Sequence, residues 1–475
     1  MRRVFAVVGC VVLFVVSVSP AHAHDGPAEV EIGEPETVDI APTSSEGLDV
    51  AGNRLVYVSA PGEACGGAGE NAGFSVLLNV PGTRLDLREV VTGDLGLGVV
   101  AAVAVHPSAT YALFTQWDPM KPSVNPGRVV AVVGDRVVGS VAVGPTPDSV
   151  GISANGKFAV IACEASTPDP ADCAAETPEE DVAGSIQVLD LRRGPSRLSV
   201  AAVITAQELF DRFFATHPAR AASPNLIEPE FVATAPHAPF ALVTLQEQSA
   251  VAVVDLRVVR DLSDRGGLTP DEIGAAALVD VVFLPHGFVD RRGKLRGTQP
   301  DGISISHDER FAVTANEANT DARHLHGISV LDLRAGWDSI SVAGTYCIFD
   351  LDPSLLNGTG LSACPAAAPG DPFPADAANL PRLDPEDTAI IERDDDIVIA
   401  VAIERAAKDQ DRGSVLFLDA SAVLDGTAPV KIDRKLVGIN AGTRPESLDA
   451  ARDGRFVFSA NELDGGSITR IPIVR

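Results

Sequence analysis

A seven-bladed β-propeller is the fold this sequence predicts, on three observations. Five segments of one pattern recur, each opened and closed by an acid. The pairs are Asp148 and Glu164, Glu230 and Glu247, Asp301 and Glu317, Glu386 and Glu404, and Glu446 and Glu462, spaced 16, 17, 16, 18 and 16 residues apart. Each segment is followed by an apolar run, near-identical in four of the five copies: Ile186 to Leu191, Val251 to Leu256, Ile328 to Leu333 and Val415 to Asp419. Two weaker copies precede the five, one from Glu46 to Glu63 and one, lacking both acids, from Ala101 to Trp117. Seven units of three or four short strands at irregular spacing are the signature of a propeller.

Each unit justifies its strands in turn. A short apolar run such as Ile303 to Ile305 comes first, and a polar turn follows. The turns are Ala154-Asn155-Gly156-Lys157, His307-Asp308-Glu309-Arg310 and Arg452-Asp453-Gly454-Arg455. Asn-Gly and Asp-Gly supply the backbone angles that reverse a hairpin. The second run alternates, as in Phe311, Val313 and Ala315, which is the period of a strand. Asp190, Asp255, Asp332 and Asp419 close the third run, where a carboxylate accepts backbone N–H bonds in the next turn. The last unit stops after its third run, Ser467 to Val474. The stretch Val30 to Ile40 is expected to supply its fourth strand and close the ring, which removes exposed sheet edges. Residues 24–475 therefore read as one domain. Thr269-Pro270-Asp271-Glu272 carries an N-cap, a first-turn proline and a capping glutamate, hence a short inserted helix. Gln207 to Phe214 reads as a second helix, and Ala335 to Pro385 as a long Pro/Ala-rich loop.

The 475 residues carry 37 Lys+Arg against 65 Asp+Glu, a net charge of −28, which excludes nucleic acid as a partner. An apolar share of 45% excludes a disordered chain. Arg2 and Arg3 precede an apolar run from Val4 to Val18 and the small-x-small site Ala21-His22-Ala23. That is a secretory signal peptide, too short to span a membrane, so the mature chain is expected to be secreted or periplasmic, monomeric and without a membrane span. Export permits disulfides. Cys163 with Cys173, and Cys347 with Cys364, are each close enough in sequence to staple one loop, leaving Cys65 as a buried thiol.

Strand order fixes where the repeated acids go. The opening acid precedes the innermost strand and the closing acid ends the second strand, so both belong to one rim of the central channel. The metal candidates are Asp148, Glu164, Glu230, Glu247, Asp301, Glu317, Asp321, Glu386, Glu404, Glu446 and Glu462. So many carboxylates around one mouth repel each other unless arginines or cations partner them. A hard cation that takes six to eight oxygens, calcium, fits that chemistry. The competing reading has each acid accept backbone N–H bonds and lock its own blade. His324 and His326, with Asn319 nearby, offer a narrower transition-metal site. Arg291, Arg292, Lys294 and Arg296 cluster between Pro285 and Gln299 and form an anion candidate, for phosphate or another small anionic molecule. Neither a phosphate-binding glycine loop nor a nucleophile elbow is found, and no organic cofactor is expected.

The run from Glu228 to Ala233, followed by Val243 to Leu256, resembles a hallmark stretch of the choice-of-anchor propeller family. That family is often labelled alkaline-phosphatase-like and includes proteins similar to a mesenchyme-specific cell-surface glycoprotein. Thr314-Ala315-Asn316-Glu317, with Asp321 and Arg323 after it, resembles the family's second recurrent segment, here stretched between Glu317 and Asp321. Elsewhere the units resemble the wider YVTN-type repeats. The resemblance and the acids together imply an extracellular binding or surface-interaction module with a cation at its rim. The alternatives are a metal-dependent phosphoesterase and a propeller lactonase.

Overall fold

This computed structural model describes residues 31–33, 35–39, 47–51, 55–60, 72–79, 87–96, 98–165, 182–217, 221, 223–289, 295–317, 327–347, 362–363, 385–393, 396–404, 413–421, 423, 430–431, 437–438, 444–461 and 466–474. Among the described residues, seven antiparallel sheets of four or five strands follow one another along the chain, with one two-stranded hairpin between the fourth and fifth. Their innermost strands are Leu48–Ala51, Val103–Val105, Pro147–Ile152, Pro229–Thr234, Gln299–Ile305, Pro385–Arg393 and Pro445–Ala450. We number the blades 1 to 7 in that order.

Second and third strands are buried on both faces, because alternate residues enter alternate blade interfaces. In blade 3, Phe158, Val160 and Ala162 pack against blade 4, while Ala159, Ile161 and Cys163 pack against blade 2. The buried side chains fall into seven clusters, one at each junction, including the one between blades 7 and 1. The core is thus a ring of inter-blade layers, with the channel at its axis.

The ring closes as the sequence predicts. Glu36–Asp39 pairs antiparallel with Ser467–Arg470, and Glu31–Ile32 pairs with Ile473–Val474. Thr37 and Thr469 hydroxyls meet at 3.0 Å across the closure. Arg470, 7% exposed, lies over the Phe456 ring and pairs with the Glu36 carboxylate. That pair lies between the exposed and buried limits of ion-pair energetics. Glu36→Ala is expected to cost about 2 kcal/mol in denaturant unfolding.

Local signals also hold. Gly156 and Gly454 have positive φ in the inner hairpin turns. Asp190, Asp255, Asp332 and Asp419 each accept the N–H two residues on, from Arg192, Arg257, Arg334 and Ser421 at 2.7–2.9 Å. Thr269 and Glu272 form a reciprocal capping box on the helix Pro270–Ala277. Residues 206–214 are helical, turning from α to π geometry at Phe210.

Three readings change. Cys163 is a free thiol with no exposure, so the expected bridge to Cys173 is not formed. Its side chain points into the core between blades 2 and 3 instead of outward, and burial pushes the thiol up to about 12. Cys65, Cys173 and Cys364 lie outside the described residues, as does the side chain of Cys347. The stretch read as a long loop from Ala335 holds the fourth strand of blade 5, Ser341–Cys347, and a short strand Ser362–Ala363. The helix Leu256–Arg265 was not expected. Asp255 caps it, and Leu256 and Val259 bury its inner face.

Candidate functional site

The acids reach the rim through a bulge. In blades 3 to 7 the pairing of the first two strands slips just after the opening proline. Proline tolerates that position because no ladder N–H is needed there. The residue following each proline is the opening acid: Asp148, Glu230, Asp301, Glu386 and Glu446. A bulge re-aims its side chain, here toward the channel. In blade 4 the N–H freed one residue later goes to a hydroxyl on the second strand, and blades 1 and 2 make the same bond with no slip in the described pairing. Thr244 accepts from Phe231 at 2.8 Å, and Thr115 and Ser59 do the same for Ala102 and Gly47. The closing acids stand at the same end, since Pro147 pairs with Cys163 and Gln299 with Glu317.

Two triads result. Ligand oxygens of Asp148, Glu164 and Glu230 lie within 4.8 Å of one another, as do those of Asp301, Glu317 and Glu386. Each triad joins both acids of one blade to the opening acid of the next. Burial, more than any other cause, raises the carboxyls of Glu164, Glu230 and Glu386, and neighbouring acids raise them further. Asp301 is pushed up to about 6 by burial, held back by its hydrogen bond with Glu386 and raised by Glu404. Glu230 Oε2 is buried and takes no hydrogen bond among the described residues.

The remaining rim acids have other company. Glu404, 3% exposed, pairs with the Arg444 guanidinium at 3.2 Å, so a cationic side chain already answers it. Glu247 accepts from Gln299 Nε2 at 2.6 Å, and Glu317 accepts from Gln246 Nε2 at 3.1 Å. Glu446 lines the channel beside Glu386. Asp321, Glu462, His324, His326, Arg291, Arg292 and Lys294 lie outside the described residues. Arg296 sits on the strand Leu295–Gly297, which pairs with His286–Val289 in a small hairpin between blades 4 and 5.

The triads overlook a narrow chamber of about 200 Å³ whose lining, among the described residues, contains Asp148, Glu230, Asp301, Glu386 and Glu446 and no basic residue. Leu48, Val103, Val150, Phe231 and Ser447 also line a wider chamber of about 860 Å³ toward the hairpin end, so the two are sections of one channel. Its wall is stitched from blade to blade. The residue after an opening acid accepts an N–H from the next blade's innermost strand: Ser149 from Val232 at 3.0 Å, Asp387 from Leu448 at 2.8 Å, and Ser447 from Leu48 at 3.4 Å. One level deeper, Asp449 accepts from Val50 and Asp49 from Val105. An innermost strand exposes unpaired N–H groups, and these stitches satisfy them. Burial pushes Asp387 up to about 8 against the pull of its backbone bonds, and it likewise raises Asp49 and Asp449.

Sequence reasoning missed Gln246, Gln299 and this stitching layer. Gln246 precedes a closing acid and Asp387 follows an opening one, so adjacency to the repeat was the available signal.

The described residues contain no helix long and apolar enough to cross a membrane. Among solved structures, the chain is similar to Kuenenia stuttgartiensis hydrazine synthase, with a TM-score of 0.51, 13% identity, and coverage of 92% of this chain and 97% of that one. It is also similar to the WD40 repeats of RRP9, with a TM-score of 0.52, 9% identity and 94% and 100% coverage. A third is the periplasmic gluconolactonase PpgL of Pseudomonas aeruginosa, with a TM-score of 0.50, 13% identity and 89% and 99% coverage. At such identities the likeness is one of fold. No curated protein matches the sequence. Residues 80–260, from the end of blade 1 into the helix after blade 4's third strand, match the family model described as the Choice-of-anchor I domain.

Proposed function

We propose that this chain is a secreted binding module in which calcium at the first triad presents a positive centre to an extracellular ligand. The observation that carries the reading is Asp148, Glu164 and Glu230 with ligand oxygens within 4.8 Å of one another, and with Glu230 Oε2 buried and without a hydrogen bond among the described residues. Oxygens gathered this closely are near enough for one cation to draw them to the roughly 2.3–2.6 Å that calcium takes. Water in the channel supplies the remaining ligands. An all-oxygen set favours a hard cation over zinc. Among the described residues the narrow chamber is lined by five acids and no base, so an anionic ligand needs the cation before it approaches. The wider chamber, within the usual range for small-molecule sites, gives such a ligand its route. The leader from Arg2 to Ala23 and the Choice-of-anchor I match support an extracellular, surface-associated role.

The test is thermal. Chelator-stripped protein is expected to gain about 2.7 kcal/mol of stability when calcium reaches a hundredfold excess over its dissociation constant. Magnesium at the same concentration should give less. No shift with calcium, together with no heat of binding by calorimetry, would sink the reading.

A further inference from the structure

We infer that the rim holds two calcium ions, one in each triad, and that the Gln299 side-chain oxygen is a neutral ligand of the second. The inference rests on the calcium reading above for the first triad and adds a site to it. Asp301, Glu317 and Glu386 repeat the construction of Asp148, Glu164 and Glu230 two blades further round. Repetition alone would leave a patch of acids. Gln299 adds an independent observation. It is 2% exposed, stands in register opposite Glu317, and anchors its amide nitrogen on Glu247 at 2.6 Å. Its Oε1 is buried with no hydrogen-bond partner among the described residues. A buried carbonyl oxygen left without a donor is costly, and few native ones are tolerated without a reason. A hard cation supplies the missing partner, because side-chain amide oxygens join carboxylates in calcium sites.

The surrounding groups agree. Glu386 is 9% exposed and hydrogen-bonds the half-buried Asp301, so two acids meet directly. The Gln246 amide donates to one oxygen of Glu317 at 3.1 Å and so positions it. Arg444 is spent on Glu404. Glu164 and Glu230 both feel the charge of Asp301, so the triads belong to one electrostatic ring. Two divalent ions offset more of that ring's charge than one does.

Calorimetric titration of the chelator-stripped full chain with calcium alone tests this. Two ions per chain are expected, one for each triad. Glu230→Gln should retain one, Glu386→Gln should retain one, and the double variant none. Gln299→Leu should weaken one of the two equivalents at least tenfold and leave the other unchanged. Its chelated melting point reports separately on folding. If Glu386→Gln fails to fold, Gln299→Leu carries the test. A wild-type stoichiometry of one, lost only in Glu230→Gln, overturns the second site and leaves the first standing. Absence of any calcium binding overturns both.

Discussion

In chelator, this protein is expected to unfold more easily at about pH 8 than at about pH 5, by several kcal/mol, the reverse of ordinary acid denaturation. The cause is the group of carboxyls that the channel buries. Asp301 is raised to about 6 and Asp387 to about 8, and Glu164, Glu230, Glu386, Asp49 and Asp449 are raised as well. In the unfolded chain the same groups titrate near 4. Between the two values the folded protein holds protons that the unfolded chain has released. Stability is then fully present below about pH 4 and falls as pH rises through the folded values. Each such group contributes about 1.4 kcal/mol per pH unit within its window. Calcium binds the deprotonated carboxylates, so saturating calcium should flatten or invert the trend. Urea unfolding at three pH values, with and without calcium, measures both. Asp387→Asn should make the chelated slope shallower, since it removes one of the raised acids. A chelated protein that grew more stable toward pH 8 would contradict the burial described for these groups.

The fold was legible because its physics is periodic. The spacing from Asp148 to Glu164 recurs because the opening acid occupies a bulge beside the end of the second strand. The first two strands and their turn fix that distance. The closure by residues 31–39 was legible from a count, since blade 7 ran out of strands. The acid triads were legible as a rim but not as triads. Which acids converge depends on the step from one blade to the next, and sequence spacing does not encode that step. Glu404 shows the difference. It repeats like the others, yet Arg444 reaches it from just before blade 7. The stitching layer was hidden for another reason. One task, accepting an N–H from the neighbouring blade, is done by serine in blades 3 and 7, at Ser149 and Ser447, but by Asp387 in blade 6, so no single residue type marks it. Cys163 was misread because proximity to Cys173 in sequence says nothing about the direction of a strand-end side chain. The helix after Asp255 was missed because Asp255-Leu256 matches Asp332-Leu333, which leads to a turn. The difference lies in Val259, whose side chain is buried against the blade 3–4 core.

Gly302→Ala is expected to cost about 3 kcal/mol and to remove the second calcium equivalent while sparing the first. Gly302 follows Asp301 on the innermost strand of blade 5, where blade 6 comes closest. A Cβ there would stand 2.6 Å from both the Asp387 Cα and the Glu386 carbonyl oxygen, and nearer still to Asp387 Oδ1. Backbone atoms cannot rotate aside as a side-chain tip can, so the innermost strand of blade 6 must move outward. That strand holds Glu386 against Asp301 and holds Asp387 against the N–H groups of Leu448 and Thr388. The shift therefore strains the stitch to blade 7 and opens the second triad together. Gly134→Ala provides the contrast. Gly134 has φ +61 at the outer hairpin of blade 2, with nothing within 4 Å of an added Cβ. Alanine there costs only the left-handed backbone penalty, about 1 kcal/mol, and should leave calcium stoichiometry intact. If the two substitutions cost the same, the close approach of blades 5 and 6 at Gly302 is not what holds the second triad together.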